Sequence, residues 1–155
     1  MANKIIWDAR PTASELIAAT GVLKNLANAA TAISPTDVAN GTALNTYADF
    51  LLYLHDFAAA PTAGGYFECH IIYEFGTTYG DGEDGDLAGT PRLTGNTLVG
   101  VFPVYAGDED QYIQLCRVPI GPHDFRVVLV NKCGQAIPNT DGSTLNIFTY
   151  CDELQ

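Results

Sequence analysis

The sequence predicts an all-β fold, an antiparallel β-sandwich of jelly-roll type with an N-terminal arm and room for one short helix. Three observations lead there. Residues 66–75 alternate strictly, Phe67, Cys69, Ile71, Tyr73 and Phe75 against Tyr66, Glu68, His70, Ile72 and Glu74, the period of a strand with one face buried. Residues 98–134, LVGVFPVYAGDEDQYIQLCRVPIGPHDFRVVLVNKCG, hold three runs rich in Val, Ile, Phe and Tyr, split by segments dense in Gly, Pro and Asp. The composition, 47% hydrophobic with 15 Gly and 8 Pro, is too apolar for disorder and too punctuated for a helical bundle.

A chain of 155 residues fits one domain, which can bury about 70% of its unfolded surface. Residues 1–30 read as an arm and short helix packed on that domain, and residues 31–155 as the sandwich. Near the start, Ile5, Ile6 and Trp7 precede Pro11, an apolar cluster that suits a strand or an arm. Trp7, the sole tryptophan, could anchor the subunit to a neighbour or pack on its own domain. In residues 14–30, Ser14 suits a helix N-cap, and Leu16, Leu23, Leu26 and Ala30 recur at helical spacings, with Gly21 interrupting. Residues 31–45 read as a loop through Ser34, Pro35, Asn40 and Gly41.

Residues 45–57 form the first strong strand, with Ala48, Phe50, Leu52 and Leu54 facing inward and Asp49, Tyr53 and His55 outward. After the PTAGG connection comes the alternating strand 66–75, which should point His70 to solvent. Residues 76–94 are a long acidic loop. Its DGEDGD run superficially resembles the start of a calcium loop but lacks the full ligand spacing, so a solvated loop is the favoured reading. Residues 98–105 are apolar on both parities, which predicts burial on both faces, with Pro103 at an edge or a bulge. Strands follow at 112–118 and 125–131, with Arg117 facing solvent or an acidic neighbour, and a last strand at 145–151 carries apolar groups on both faces.

No written motif carries chemistry. His55, His70 and His123 fall in no zinc-hydrolase or deaminase pattern, and there is no GxSxG elbow, P-loop or GxGxxG. Cys69, Cys116, Cys133 and Cys151 form no CxxC pair and read chiefly as small core residues, with disulfides as the competing reading. No catalytic residue, cofactor or metal site is expected. With 18 acids against 7 bases the net charge is −11, which repels phosphate backbones and anionic lipid, so neither nucleic acid nor membrane is an expected partner. No apolar run reaches bilayer-spanning length, and the first residues do not read as a signal peptide.

The segments LVGVFPV, RVPIGPHDFRVVLVNKCG and STLNIFTYCDE resemble a family of small virion structural proteins of tailed bacteriophages and prophages. Members share an LVGVF strand, an IPLPPG-like turn, an NKTG-like turn and a terminal NTL…Y segment. LKNLANAATAIS, NTYADFLLYL, PTAGGYFECHIIYEF and TTYGDGEDGD are similar to its N-terminal half more loosely, so the likeness spans residues 16–153. The chain departs from the pattern at Gly121, where the turn's first Pro would stand, at Cys133, and after LANA, where no clear Gly follows.

The resemblance implies a capsid decoration, or cement, protein. Such a subunit is synthesised in the bacterial host cytoplasm, gathers as a homo-oligomer, with a trimer favoured, and grips the major capsid protein on the exterior of the virion. Ile5, Ile6 and Trp7 of the arm, with Tyr53, Ile72, Val128 and Val130 as apolar groups on otherwise polar parities, are the candidate interface residues. The alternative is a tail or head-fibre module that binds host surface polysaccharide through Tyr47, Tyr53, Tyr66, Tyr79, Tyr105 and Tyr112, because aromatic rings can stack on sugars.

Overall fold

A computed structural model describes residues 5–7, 14–17, 23–80, 91–138 and 142–154. The strands are β1 (Ile5–Trp7), β2 (Ser14–Ile17), β3 (Thr31–Ile33), β4 (Tyr47–Leu54), β5 (Tyr66–Phe75), β6 (Thr78–Tyr79), β7 (Leu98–Pro103), β8 (Gln111–Pro119), β9 (Phe125–Asn131), β10 (Thr144–Tyr150) and β11 (Asp152–Leu154). Every pairing is antiparallel, and there is no helix among the described residues.

Two large sheets make an all-β sandwich. One runs β2-β10-β4-β8; the other runs β3-β9-β5, with β6 and β7 both paired to β5. The chain passes between the sheets at nearly every step, from β2 to β3, back to β4, over to β5 and β7, back to β8, over to β9, and home to β10. A separate two-stranded ribbon joins the two ends of the chain, with Ile5 opposite Leu154 and Trp7 opposite Asp152.

Between the sheets lies a core in which the expected parities hold. Ala48, Phe50, Leu52 and Leu54 of β4 face Phe67, Cys69 and Ile71 of β5 and Phe125, Val127 and Leu129 of β9, all buried. Each large aliphatic or aromatic side chain removed from water contributes about 1.5–3 kcal/mol before chain entropy is set against it. Gly100 of β7 lets the sheets close at one side, since a β-carbon there would stand 2.9 Å from Leu115 Cδ1 of β8.

The structure corrects several expectations. The described part of residues 14–30 holds a strand and turns in place of the short helix: β2 adds to β10, and Leu23 and Leu26 enter the core. The helical spacing of these leucines loses to tertiary bonds, because Leu26 O accepts from Ile137 N–H at 3.0 Å and from Asn131 Nδ2 at 3.0 Å, while Ala29 N–H donates to Asn131 O at 2.7 Å. Asn25 and Ala29 adopt left-handed φ angles of 59° and 65°, which a helix excludes. The sandwich thus draws on residues before Thr31 as well as after it.

Residues 31–33, expected in a loop, form β3 along β9, where Ala32 is small enough to be buried against the core. Residues 98–105 are not buried on both faces. Among the described pairings β7 pairs β5 alone, and Leu98 and Val101 are exposed, while Phe102 and Val104 point inward. Pro103 sits on this edge strand, where its missing N–H costs no ladder bond.

Candidate functional site

The outer face of the four-stranded sheet is the most chemically varied surface among the described residues. Alternation along β4 turns Tyr47, Asp49, Leu51 and Tyr53 outward, and the register sets a grid across β8, β4 and β10. Tyr112, Tyr53 and Thr144 share one row; Gln114, Leu51 and Asn146 share the next; Asp49 lies beside Phe148, and Tyr47 beside Tyr150. Rings therefore stand at both ends, about 20 Å apart along six residues of strand.

At one end Tyr53 and Tyr112 stack with centroids 4.6 Å apart, and Tyr112 remains 68% exposed. The Tyr53 hydroxyl donates to Asp110 Oδ2 at 2.7 Å, His55 Nδ1 lies 2.9 Å from Asp110 Oδ1, and Asp56 N–H donates to that oxygen at 3.1 Å. A carboxylate can only accept, so the Nδ1 of His55 carries the proton. The Tyr53 bond, then the His55 bond, hold the Asp110 carboxyl down at about 2, and the same carboxylate pushes the Tyr53 phenol well above its ordinary range.

At the other end a bulge between Ala48 and Phe50 frees Asp49 from regular pairing. Asp49 Oδ1 accepts from Arg117 N–H at 2.6 Å and from the Tyr150 hydroxyl at 3.1 Å. Arg117 takes a left-handed φ of 55° and lays its guanidinium over the Tyr47 ring, 4.6 Å from the centroid. Between the two ends is a hollow of about 160 Å³ lined by Asp49, Phe50, Leu51, Gln114, Cys116 and Phe148.

The metal-ligating atoms of His55, Asp56 and Asp110 lie within 4.8 Å of one another. Asp110 is tied to the Tyr53 hydroxyl, the His55 ring and the Asp56 main chain by hydrogen bonds, and the Asp56 carboxylate stands beside them. The acidic run at 81–86, considered for calcium, lies outside the described residues.

The candidate interface residues scatter. Ile5, Ile6 and Trp7 form β1 through their backbone, and their side chains lie outside what is described. Tyr53 is on the tyrosine face. Ile72 and Val128 are not open to a neighbour, because they form a second small cluster on the outer side of the other sheet, beneath Ile33, Tyr79 and Leu93. Val130 is buried as well. His70, expected in solvent, is buried on the same side, with Nδ1 3.0 Å from Thr97 Oγ1. Tyr79 is tied down separately: its hydroxyl donates to Asp37 at 2.6 Å and Arg126 lies over its ring.

Sequence reading missed the His55–Asp110 pair and the contribution of Phe148 and Tyr150. The second was visible in the outward parity of the last strand; the first joins positions 55 residues apart and has no local signal. Of the four cysteines, Cys69 and Cys133 are buried, Cys116 is exposed and Cys151 intermediate, and all four are free thiols. No protein-family model matches the chain, and no curated protein matches it.

Proposed function

We propose that the chain is a structural subunit of a bacteriophage particle, a decoration protein that associates as a trimer on the capsid exterior and stabilises the shell. The observation that carries this reading is the likeness of its strand-and-turn segments, LVGVFPV, RVPIGPHDFRVVLVNKCG and STLNIFTYCDE, to those of small virion proteins. The strand order supports it. Taking β2, β3, β4, β5, β7, β8, β9 and β10 as eight strands, the two sheets read 1-8-3-6 and 2-7-4-5, an order that fits a jelly roll made of two Greek keys.

The work proposed is passive. Contacts between copies bury surface, attachment to the major capsid protein at many points adds avidity, and the sum holds the lattice against packaged DNA. The net charge of −11 keeps subunits soluble and away from nucleic acid, in keeping with an exterior location. No catalytic step, cofactor or membrane contact belongs to this reading.

Electron microscopy of intact particles, with mass spectrometry of their proteins, tests it. Density for a sandwich of one four-stranded and one five-stranded sheet in threefold clusters over the capsid is the expected result. Absence of the chain from mature particles, or density at the tail alone, would overturn it.

A further inference from the structure

We propose that the outer face formed by β10, β4 and β8 is a binding platform for a neutral polysaccharide chain. The inference stands on the layout of that face and does not depend on the virion reading.

The distribution of groups is the first reason. A protein-docking patch concentrates its rings and aliphatics in a dry centre and surrounds them with a polar rim. Here rings, aliphatics and polar groups alternate along the whole face. Rings stand at the two ends, Tyr53 with Tyr112 and Tyr47 with Tyr150, while the middle sets Leu51 and Phe148 among the carboxamides of Gln114 and Asn146 and the carboxylate of Asp49. A pyranose ring presents an apolar face of C–H groups and an equator of hydroxyls. The C–H face suits the negative face of an aromatic ring, and the hydroxyls need planar amide or carboxylate partners.

Open valence is the second reason. Tyr112 stacks one face on Tyr53 and, at 68% exposure, leaves the other uncovered. Among the described residues both hydrogen bonds to Asp49, from Arg117 and Tyr150, end on Oδ1, which leaves Oδ2 with acceptor capacity beside the hollow. Gln114, exposed, lines the same hollow with Leu51 and Phe148, and at about 160 Å³ the hollow has room for a single sugar ring. The ring-to-ring span of about 20 Å accepts an extended chain of several units rather than one monosaccharide.

Rigidity is the third. The Tyr53 ring is held by Asp110, and Asp49 is positioned by a main-chain donor on the bulge, so the platform is ordered before a ligand arrives and association costs little side-chain entropy. Charge selects among polysaccharides. Asp49 and Asp110 on the face, within a chain of net charge −11, disfavour anionic chains such as alginate or teichoic acids and leave neutral hexose polymers as the matching class.

The test is native affinity electrophoresis in gels cast with a mannan, a galactan, a β-glucan or a dextran, and with alginate as the anionic control. The expected result is retardation by at least one neutral polymer and none by alginate, with a tenfold or greater loss of apparent affinity in Tyr112→Ala and in Gln114→Ala. Phe75→Ala, which removes a 58% exposed ring from the other sheet, should bind as the parent does. Unchanged thermal unfolding of all three variants separates lost binding from lost fold. Failure of every neutral polymer to retard the parent overturns the proposal, as does parental retardation in Tyr112→Ala combined with Gln114→Ala. Loss of particle attachment by Tyr112→Ala without any polysaccharide binding would assign the face to a protein partner instead.

Discussion

A β-carbon placed on Gly65 would stand 2.7 Å from the Cα of Cys133 and 2.8 Å from its carbonyl oxygen. Two turns far apart in sequence, PTAGG and NKCG, are therefore pressed backbone to backbone. Thr62 N–H donates to Cys133 O at 2.9 Å, and Gly65 N–H donates to Thr62 O at 2.8 Å. Backbone atoms cannot swing aside as a side-chain tip can. Gly65→Ala should cost about 1–3 kcal/mol as overpacking, a fall in Tm of roughly 3–10 °C for a chain of this size. Gly95→Ala, with nothing within 4 Å, is the control and should change little. Equal melting temperatures for the two variants would refute the close-approach account.

How much of this was legible beforehand follows from where the information sits. Strands β4, β5, β9 and β10 announce themselves through a period of two, and the structure buries the inward parity of β4 and that of β5 from Phe67 to Ile71; Phe75, read as inward, is exposed, and β9 is buried on both parities from Val127 on. Strands β2 and β3 carry no such period, being four and three residues long, and they exist because β10 and β9 offer free edges. Tyr53 was legible as an outward ring, but its value depends on Tyr112 and Asp110, which only the register brings alongside. Val128 and Ile72 misled for the converse reason: outward parity said exposed, and a covering of Leu93 and Tyr79 made them buried.

His70 gives a pH dependence whose sign can be worked out. The Thr97 hydroxyl donates to Thr94 O at 2.9 Å, so its oxygen must accept from His70 Nδ1, and Nε2 is left buried without a hydrogen-bond partner, 3.5 Å from Glu68 Oε2. Burial lowers the pKa below 6.5, and Glu68 opposes this only in part. Above about pH 6.5 the ring is neutral in both states and its contribution is complete. As pH falls through that value the unfolded chain takes the proton first, so stability declines, by at most about 1.4 kcal/mol per unit for one proton. Urea midpoints measured from pH 7.5 to 5.0 should fall more steeply for the parent than for His70→Gln. Identical slopes would remove His70 from the account.

The phenols offer a spectroscopic reading of the tyrosine face. Burial, followed by the Asp37 bond, raises Tyr79 to about 12, and the bond to Asp110 is the largest of the causes that lift Tyr53 further. In an alkaline absorbance titration these two should ionise last. Asp110→Asn removes the negative charge that opposes ionisation of Tyr53 and should bring one phenol down toward the ordinary range near 10, while Tyr79 stays where it is. A titration curve unchanged by Asp110→Asn would mean that the 2.7 Å bond does not persist in solution.

Thiol chemistry separates the four cysteines by burial. Desolvation drives the Cys69 thiol far above its ordinary pKa, and burial raises Cys133 despite its contact with Gln135 O at 3.2 Å. Native protein treated with a chromogenic disulfide reagent at pH 8 should release one equivalent quickly from Cys116 and a slower one from Cys151. The remaining two should appear only in denaturant. Cys116→Ser should abolish the fast phase; persistence of that phase would place an accessible thiol where the structure has none.

The terminal ribbon carries the last prediction. Among the described pairings β1 bonds to β11 alone, whereas the sandwich edge begins at β2, after residue 13. A two-stranded ribbon of three residue pairs is marginal by itself in water and gains permanence only when something lies along it. Deleting residues 1–13 strips β11 of its partner but removes none of the described strands of either large sheet, so the truncated chain should fold and melt within a few degrees of the parent. If the chain decorates a capsid and this ribbon is what reaches the lattice, the truncated protein should bind stripped particles at a tenth or less of the parental occupancy. Equal occupancy at equal concentration would show that attachment runs through the sheet faces and that the ribbon merely ties the two ends of the chain together.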